Sequence, residues 1–272
     1  MNNLEPLMIM VAPNGARRNQ QDHSALPMTI EQTVAEAWAC HQAGACILHG
    51  HIRDQQGNHS LDAGLYRELL AQMASSVPNM LVQITTEAVG QYTAEQQIAL
   101  LKTLQPKMAS VALRELAPDN SDQTQAKHFF SWAAEAQVHL QIILYDASDV
   151  TRLRQLKHTG VIANKTSCVL YVLGRYRKNL QAQADDLDEF LQAKNQDHWF
   201  ACAFGKEEHA CITHAIDNGG HARVGFENNL WLPSGELAHS NQALVEAVAN
   251  YAHQQKRAIA TAQDASIILG IK

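Results

Sequence analysis

Ala45-Cys46-Ile47-Leu48-His49-Gly50-His51-Ile52-Arg53-Asp54 reads as an apolar strand that ends in His-x-His. Residues two apart on a strand share a face, so His49 and His51 turn two imidazoles toward one point, and Gly50 leaves room beside them. The chain carries 14 histidines, and the pair alone does not separate a metal site from two unrelated side chains. A second stretch, Gly219-Gly220-His221-Ala222-Arg223-Val224-Gly225-Phe226-Glu227-Asn228-Asn229, ends a strand in a carboxylate and supplies a third donor.

Working outward from these strands, short β-rich runs alternate with longer helical patterns, the sequence form of repeated βα units. The strand runs are Leu7 to Ala12, Cys46 to His51, Met80 to Thr85, Met108 to Leu113, Val138 to Tyr145, Cys168 to Leu173, Trp199 to Ala203 and Ala222 to Phe226. Helical stretches lie at Thr29 to Gln42, Leu65 to Ser75, Ala94 to Leu104, Gln123 to Ala136, Val150 to His158, Leu187 to Asn195, Glu207 to Asp217 and Asn241 to His253. Thr29 with Gln32, and Thr93 with Gln96, have the form of a capping box, and Ser240 precedes a clean amphipathic run. Eight strands, each followed by a helix, predict a (β/α)8 TIM barrel of roughly 250 residues, here a single domain over residues 1–272. The apolar tail from Arg257 to Lys272 is expected to pack on the barrel exterior or on a neighbouring subunit.

Composition narrows the function classes. The formal charge of −6 carries no long run of either sign, which argues against a nucleic-acid partner. Five cysteines, odd in number and without zinc-finger or redox spacing, read as buried thiols in a reducing compartment. No apolar run approaches the roughly 18 residues of a membrane span, and the start Met1-Asn2-Asn3-Leu4-Glu5-Pro6 has no leader pattern. The expectation is a cytoplasmic protein without a membrane partner.

Barrel chemistry sits at the C-terminal strand ends. Those ends read Pro13-Asn14-Gly15, His49 and His51, Thr85-Thr86-Glu87, Arg114-Glu115, Tyr145-Asp146, Gly174-Arg175-Tyr176, Phe204-Gly205-Lys206 and Glu227-Asn228-Asn229. Strands two and eight flank strand one in a closed barrel, so His49, His51 and Glu227 can converge. Two imidazoles and one carboxylate leave zinc an open position for substrate, and the same set suits Fe(II). Arg223, Gly225 and Glu227 share one parity, which turns a guanidinium to the same side as a substrate carboxylate or a developing oxyanion, or into an ion pair with a barrel carboxylate. Glu87, Glu115 and Asp146 are candidate proton acceptors or grips for a cationic group, with helix capping the better reading of Asp146. Asn14, Thr85 and Thr86 are candidate substrate contacts, the threonines equally suited to packing. The loop Gly174-Arg175-Tyr176-Arg177-Lys178 could meet the phosphates of a nucleotide-bearing cosubstrate or stand as a solvated charged loop, and Gly219-Gly220 could cradle phosphate or serve as a tight turn.

The same stretches resemble the β-keto acid cleavage enzyme family. The resemblance runs through Ala12-Pro13-Asn14-Gly15-Ala16-Arg17, Leu26-Pro27-Met28-Thr29, His49-Gly50-His51-Ile52-Arg53-Asp54, Arg223-Val224-Gly225-Phe226-Glu227-Asn228-Asn229 and Ser240-Asn241, nearly the whole chain. It implies a zinc-dependent barrel, usually a homo-oligomer (dimer or tetramer), in which a β-keto acid and acetyl-CoA give acetoacetate and a new acyl-CoA. By that resemblance His49, His51 and Glu227 hold Zn2+, which chelates the keto acid and eases enolate formation. The enolate attacks the acetyl thioester, the released thiolate attacks the original keto carbonyl, and a retro-Claisen step separates the products. Arg223 matches the catalytic arginine, and Thr85 falls where a hydroxyl contacts substrate.

Two positions depart from the family's type member. Asn228 stands in place of an aspartate that assists proton transfer, and an amide cannot accept that proton, so Glu87 or Glu115 is expected to substitute. Arg17-Arg18 stands in the region of a glutamate that grips a substrate amino group, so a neutral or anionic keto acid is expected. Two other function classes remain: a metal-dependent hydrolase, although its usual histidines after strands five and six are absent, and a barrel that binds metal and ligand without turnover.

Overall fold

The barrel strands form where runs rich in β-branched and apolar residues are largely buried on both faces. The computed structural model describes residues 4–119, 121–165, 168–194 and 197–271. In chain order the elements are β1 (Ile9–Val11), α1 (Ile30–Gln42), β2 (Ile47–Gly50), β3 (Ile52–Arg53), β4 (His59–Ser60), α2 (Ala63–Ser76), β5 (Leu81–Thr85), α3 (Ala94–Leu104), β6 (Met108–Ala112), α4 (Leu113–Leu116), α5 (Thr124–Glu135), β7 (His139–Leu144), α6 (Ala147–His158), β8 (Cys168–Leu173), α7 (Asp186–Ala193), β9 (His198–Ala203), α8 (Glu208–Asp217), β10 (His221–Val224), α9 (Asn241–Gln254) and α10 (Ala262–Leu269). Eight parallel strands close in the order β1-β10-β9-β8-β7-β6-β5-β2, while β3 and β4 form a separate antiparallel hairpin. The architecture is the expected (β/α)8 barrel in one domain.

Local signals place the helices. Thr29 and Thr93 cap α1 and α3 in reciprocal capping boxes with Gln32 and Gln96, and Ser240 caps α9 through Ala243 N–H. The fifth expected helix, which was to start at Val150, starts at Ala147 as α6, because the Asp146 carboxylate accepts from the N–H groups of Ser148 and Asp149 and so caps three residues earlier. The expected helix end at Asn195 and the chain end at Lys272 lie outside the described residues.

Strand parity sorts the core into two layers. Ile9, Val11, Leu48, Ala109 and Val111 face the helices, while Met8, Met10, Met108, Leu170, Phe200 and Cys202 fill the barrel interior. Of the tail, Ile259 packs on the helix-facing layer. Ala265 and Leu269 of α10 join the interior cluster of Met8, Met10, Cys46 and Cys168, and so cover the N-terminal end of the barrel. All five cysteines are free and buried. Among the described residues no helix is long and apolar enough to cross a membrane.

The eighth barrel strand ends earlier than its hydrophobic run. It stops at Val224, and Gly225 adopts φ +141. A Cβ there would lie 2.4 Å from the Ala12 carbonyl oxygen, so only glycine lets the ends of β1 and β10 approach this closely. The expectation that Arg223, Gly225 and Glu227 line one strand face is therefore corrected: Glu227 reaches the mouth through a turn, its N–H donating to Ala12 O at 3.1 Å.

Candidate metal and active site

β2 and β10 bring their polar residues together across β1, as the closed order requires. His49 Nε2 and His51 Nε2 lie 3.1 Å apart, and Glu227 Oε2 sits 3.6 Å from the first and 3.3 Å from the second. His51 lies just past the end of β2, yet its ring still turns to the same point. Gly15 makes room for the carboxylate: its φ is +62, and a Cβ there would stand 2.5 Å from Glu227 Cγ.

The donor set fits a metal ion. His49 Nδ1–H donates to Gln83 Oε1 at 2.6 Å, which leaves Nε2 with a bare lone pair. Glu227 Oε2 is buried without a hydrogen-bond partner. Ligands at zinc–nitrogen and zinc–oxygen distances of about 2.0–2.1 Å in tetrahedral array stand roughly 3.3 Å from one another, the spacing seen among these three atoms. Burial, then Arg223, pushes the His49 imidazole down to about 3, so it is neutral and ready to ligate. Burial alone would raise Glu227, but Arg223, His51 and His49 hold its carboxyl well below the usual carboxylate range.

Around this centre the other expected residues take distinct positions. Arg223 is buried, and its Nη2 donates to Glu227 Oε1 at 2.7 Å and to Asn228 Oδ1 at 3.4 Å. The ion-pair reading of Arg223 is thus realised with a metal-ligand candidate, while its Nε–H has no partner. Asn228 Nδ2 and Asn14 Oδ1 are likewise buried and unpartnered. Asn14 Nδ2 donates to the carbonyls of Pro27 and His51 and so braces the histidine loop. Thr85 Oγ1 accepts from Glu87 N–H, and Thr86 Oγ1 donates to Ser110 O, so both hydroxyls already serve the backbone.

Glu87, Glu115 and Arg17 gather at the rim above β5. Arg17 Nη1 donates to Glu87 at 2.5 Å, and Glu115 Oε2 accepts from Ala88 N–H. Burial, then the neighbouring Glu87, pushes the Glu115 carboxyl up to about 7. The two free cations expected at Arg17-Arg18 are not there. Arg18 donates to the carbonyls of Phe226 and Asn228, and Arg17 is neutralised by Glu87, because the loop after β1 folds back over the mouth. Asp146 caps α6 and pairs with Arg114, as its helix-capping reading requires.

Several residues of the site have no role that the sequence assigns. Gln83 stands two residues before Thr85 on an interior parity, a polar residue within a barrel strand, and that position is its only signal. Arg53 donates to the carbonyls of Gly15, Ala16, Arg18 and Gly57, fixing the loop that covers the site. Asn241 accepts from Phe226 N–H and donates to Pro13 O, tying the ends of β1 and β10. Glu208, buried at the start of α8, accepts from Asn229 Nδ2 at 3.1 Å, and burial pushes its carboxyl up to about 8. Gly219-Gly220 precedes β10 and lies at the opposite barrel end, Gly220 packed on Trp199, which is a turn and not a phosphate cradle at this mouth.

A second trio, Glu5, His198 and His221, gathers at that opposite end. It is a poor metal site. His221 Nδ1 accepts from Met8 N–H at 3.1 Å, so its proton resides on Nε2, the atom that faces Glu5.

A family profile described as beta-keto acid cleavage enzyme matches residues 6–271. The chain is 31% identical to the 3-keto-5-aminohexanoate cleavage enzyme of Fusobacterium nucleatum, over 99% of each chain. It is 24% identical to the 3-oxoadipate:acetyl-CoA acetyltransferase of Cupriavidus necator, over 98% of this chain and 95% of that one. Among solved structures, ObcA in a ternary complex with C4-CoA adduct and oxalate superposes with a TM-score of 0.74 at 16% identity, covering 90% of this chain and 67% of that chain, a likeness of fold.

Proposed function

The chain belongs to the β-keto acid cleavage enzyme family, and on that premise we propose that it is a zinc-dependent acyltransferase that converts a β-keto acid and acetyl-CoA into acetoacetate and a new acyl-CoA. The observation that carries this reading is the convergence of His49 Nε2, His51 Nε2 and Glu227 Oε2 beside the buried Arg223 guanidinium. Zinc held there supplies Lewis acidity toward the oxygens of a keto acid.

The chain's own side chains divide the remaining work. Arg223 Nε–H and Asn228 Nδ2–H are buried donors without protein partners, and buried donors of this kind stabilise an oxyanion or grip a carboxylate with little reorganisation. Glu115 serves as the proton acceptor in place of the carboxylate that Asn228 lacks. Burial, then the neighbouring Glu87, pushes its carboxyl up to about 7 and leaves it able to exchange a proton near neutral pH. The loop held down by Arg53 covers the centre and limits water access, with the Arg17–Glu87 pair at its edge. Because that pair is internally neutral, the substrate's far end meets no net charge there.

Incubation with acetyl-CoA and a panel of β-keto acids, followed by mass spectrometry of acyl-CoA species, tests the proposal. The expected result is a new acyl-CoA that depends on one class of keto acid and disappears on chelation. Stoichiometric metal with no new acyl-CoA across the panel overturns it.

A further inference from the structure

In the closed order β8 lies diametrically opposite β2, and the loops after β8 and β9 carry cations laid on aromatic rings of the loops after β9 and β10. The Arg114 guanidinium lies 5.6 Å from the ring centres of both Tyr145 and Tyr176, but Asp146 and Asp149 already take its N–H groups. Two other cations are not so committed. Arg175 lies 5.4 Å from the centre of Phe204, and Lys206 Nζ lies 5.0 Å from the centre of Trp231. Neither is ion-paired among the described residues. A ring beneath a cation preorganises it without neutralising it, which leaves its charge for an anion. Beside them the Tyr176 ring is 69% exposed, a face on which a heterocyclic base can stack.

This rim is continuous with the metal centre. Phe204 N–H donates to Leu173 O, Ala182 N–H donates to Phe204 O, and Gly205 N–H donates to the carbonyl of Asn228, the neighbour of Glu227. A ligand that spans from Tyr176 to Glu227 therefore needs a flat aromatic group and phosphates at one end and a reactive group at the other. A nucleotide-bearing thioester has that form.

We propose that Arg175 and Lys206, with the Tyr176 ring beside them, seat the nucleotide end of CoA while its thioester reaches toward His49, His51 and Glu227. The assignment rests on the acyl-transfer reading above. Charge-assisted hydrogen bonds to phosphate make each cation count for about tenfold or more in affinity.

Calorimetric titration of the full-length metal-loaded protein with CoA, and with 3′-phospho-ADP as the nucleotide end alone, tests the seat. In the Arg175→Ala/Lys206→Ala double variant, with its melting temperature unchanged, both ligands are expected to bind at least tenfold more weakly, and the salt dependence of binding is expected to shrink. Tyr176→Ala is expected to weaken both ligands several-fold. Wild-type affinity in the double variant overturns the seat and leaves the transfer reading standing. Absence of CoA binding by the wild-type protein also overturns the seat. Tenfold loss in the variant of a protein that transfers no acyl group supports the seat and removes the transfer reading.

Discussion

The Nδ1 of His49 donates to Gln83 Oε1 at 2.6 Å, deep in the barrel where both side chains are buried. Gln83 is itself held by Gln141 Oε1, which accepts from its Nε2 at 3.1 Å, and Gln141 Nε2 donates to the Cys168 thiol. This chain of amides sets the tautomer and the ring orientation of a metal-ligand candidate, the task of an outer-shell partner. Gln83→Leu is expected to weaken metal binding about 10- to 100-fold, measured by competition with a chelator of known affinity, with the fold intact by circular dichroism.

Arg223 and Glu227 form a buried pair, and breaking it leaves the carboxylate uncompensated. Arg223→Ala is expected to cost about 3–5 kcal/mol of stability in denaturant titration. It is also expected to lower kcat by a factor of about 10² to 10³. Arg223→Lys keeps the charge but not the fork of donors, so it restores much of the stability and little of the activity.

Gly225 permits the approach of β10 to Ala12, where an added Cβ would meet the carbonyl oxygen at 2.4 Å at a backbone angle that side chains rarely adopt. Gly225→Ala is expected to cost about 3 kcal/mol or more, read as a fall in melting temperature. Because Glu227 follows this turn, metal affinity falls with it.

Two carboxyls, the buried Glu208 and the half-buried Glu115, set a pH dependence of stability. Burial pushes Glu208 up to about 8, and burial with Glu87 pushes Glu115 up to about 7. Each binds its proton more tightly in the folded chain than in the unfolded one, where a glutamate titrates at about 4.3. Their contribution is full below that value and is lost as pH rises through 7 and 8. Denaturant titrations of the metal-free protein are expected to show stability falling across this window, and Glu115→Gln and Glu208→Gln each to flatten the fall.

Asn228 Oδ1 faces Arg223, and its Nδ2 has no partner. If Glu115 carries the proton, Asn228→Asp removes a donor and brings no gain. The expected result is unchanged or lower kcat/KM in Asn228→Asp, and loss of the acid-side limb's pKa near 7 from the pH profile in Glu115→Gln. A gain of tenfold or more in Asn228→Asp contradicts this assignment.

How far the sequence could be read depends on which interactions are local. The eight strand runs and the capping boxes at Thr29 and Thr93 were legible because burial periodicity and caps act within a few residues. The convergence of the candidate metal trio was legible because barrel closure makes β2 and β10 flank β1. Parity failed at Gly225, where a contact with Ala12, distant in sequence, ends the strand. At Arg17 and Arg18 the sequence could not show that adjacent residues take partners, Glu87 and the Phe226 carbonyl, on different loops. Gln83 carried no signal beyond a polar residue at an interior position, since only the folded barrel sets it against His49. The α10 cover of the barrel end was hidden for the same reason: an apolar tail does not specify what it covers.

The most direct measurement is the metal content of the purified protein and of its His49→Ala and Glu227→Ala variants by elemental analysis, each checked for folding. The account predicts about one equivalent of zinc per chain in the wild-type protein and its loss in both variants. Full retention of metal in both variants would contradict it.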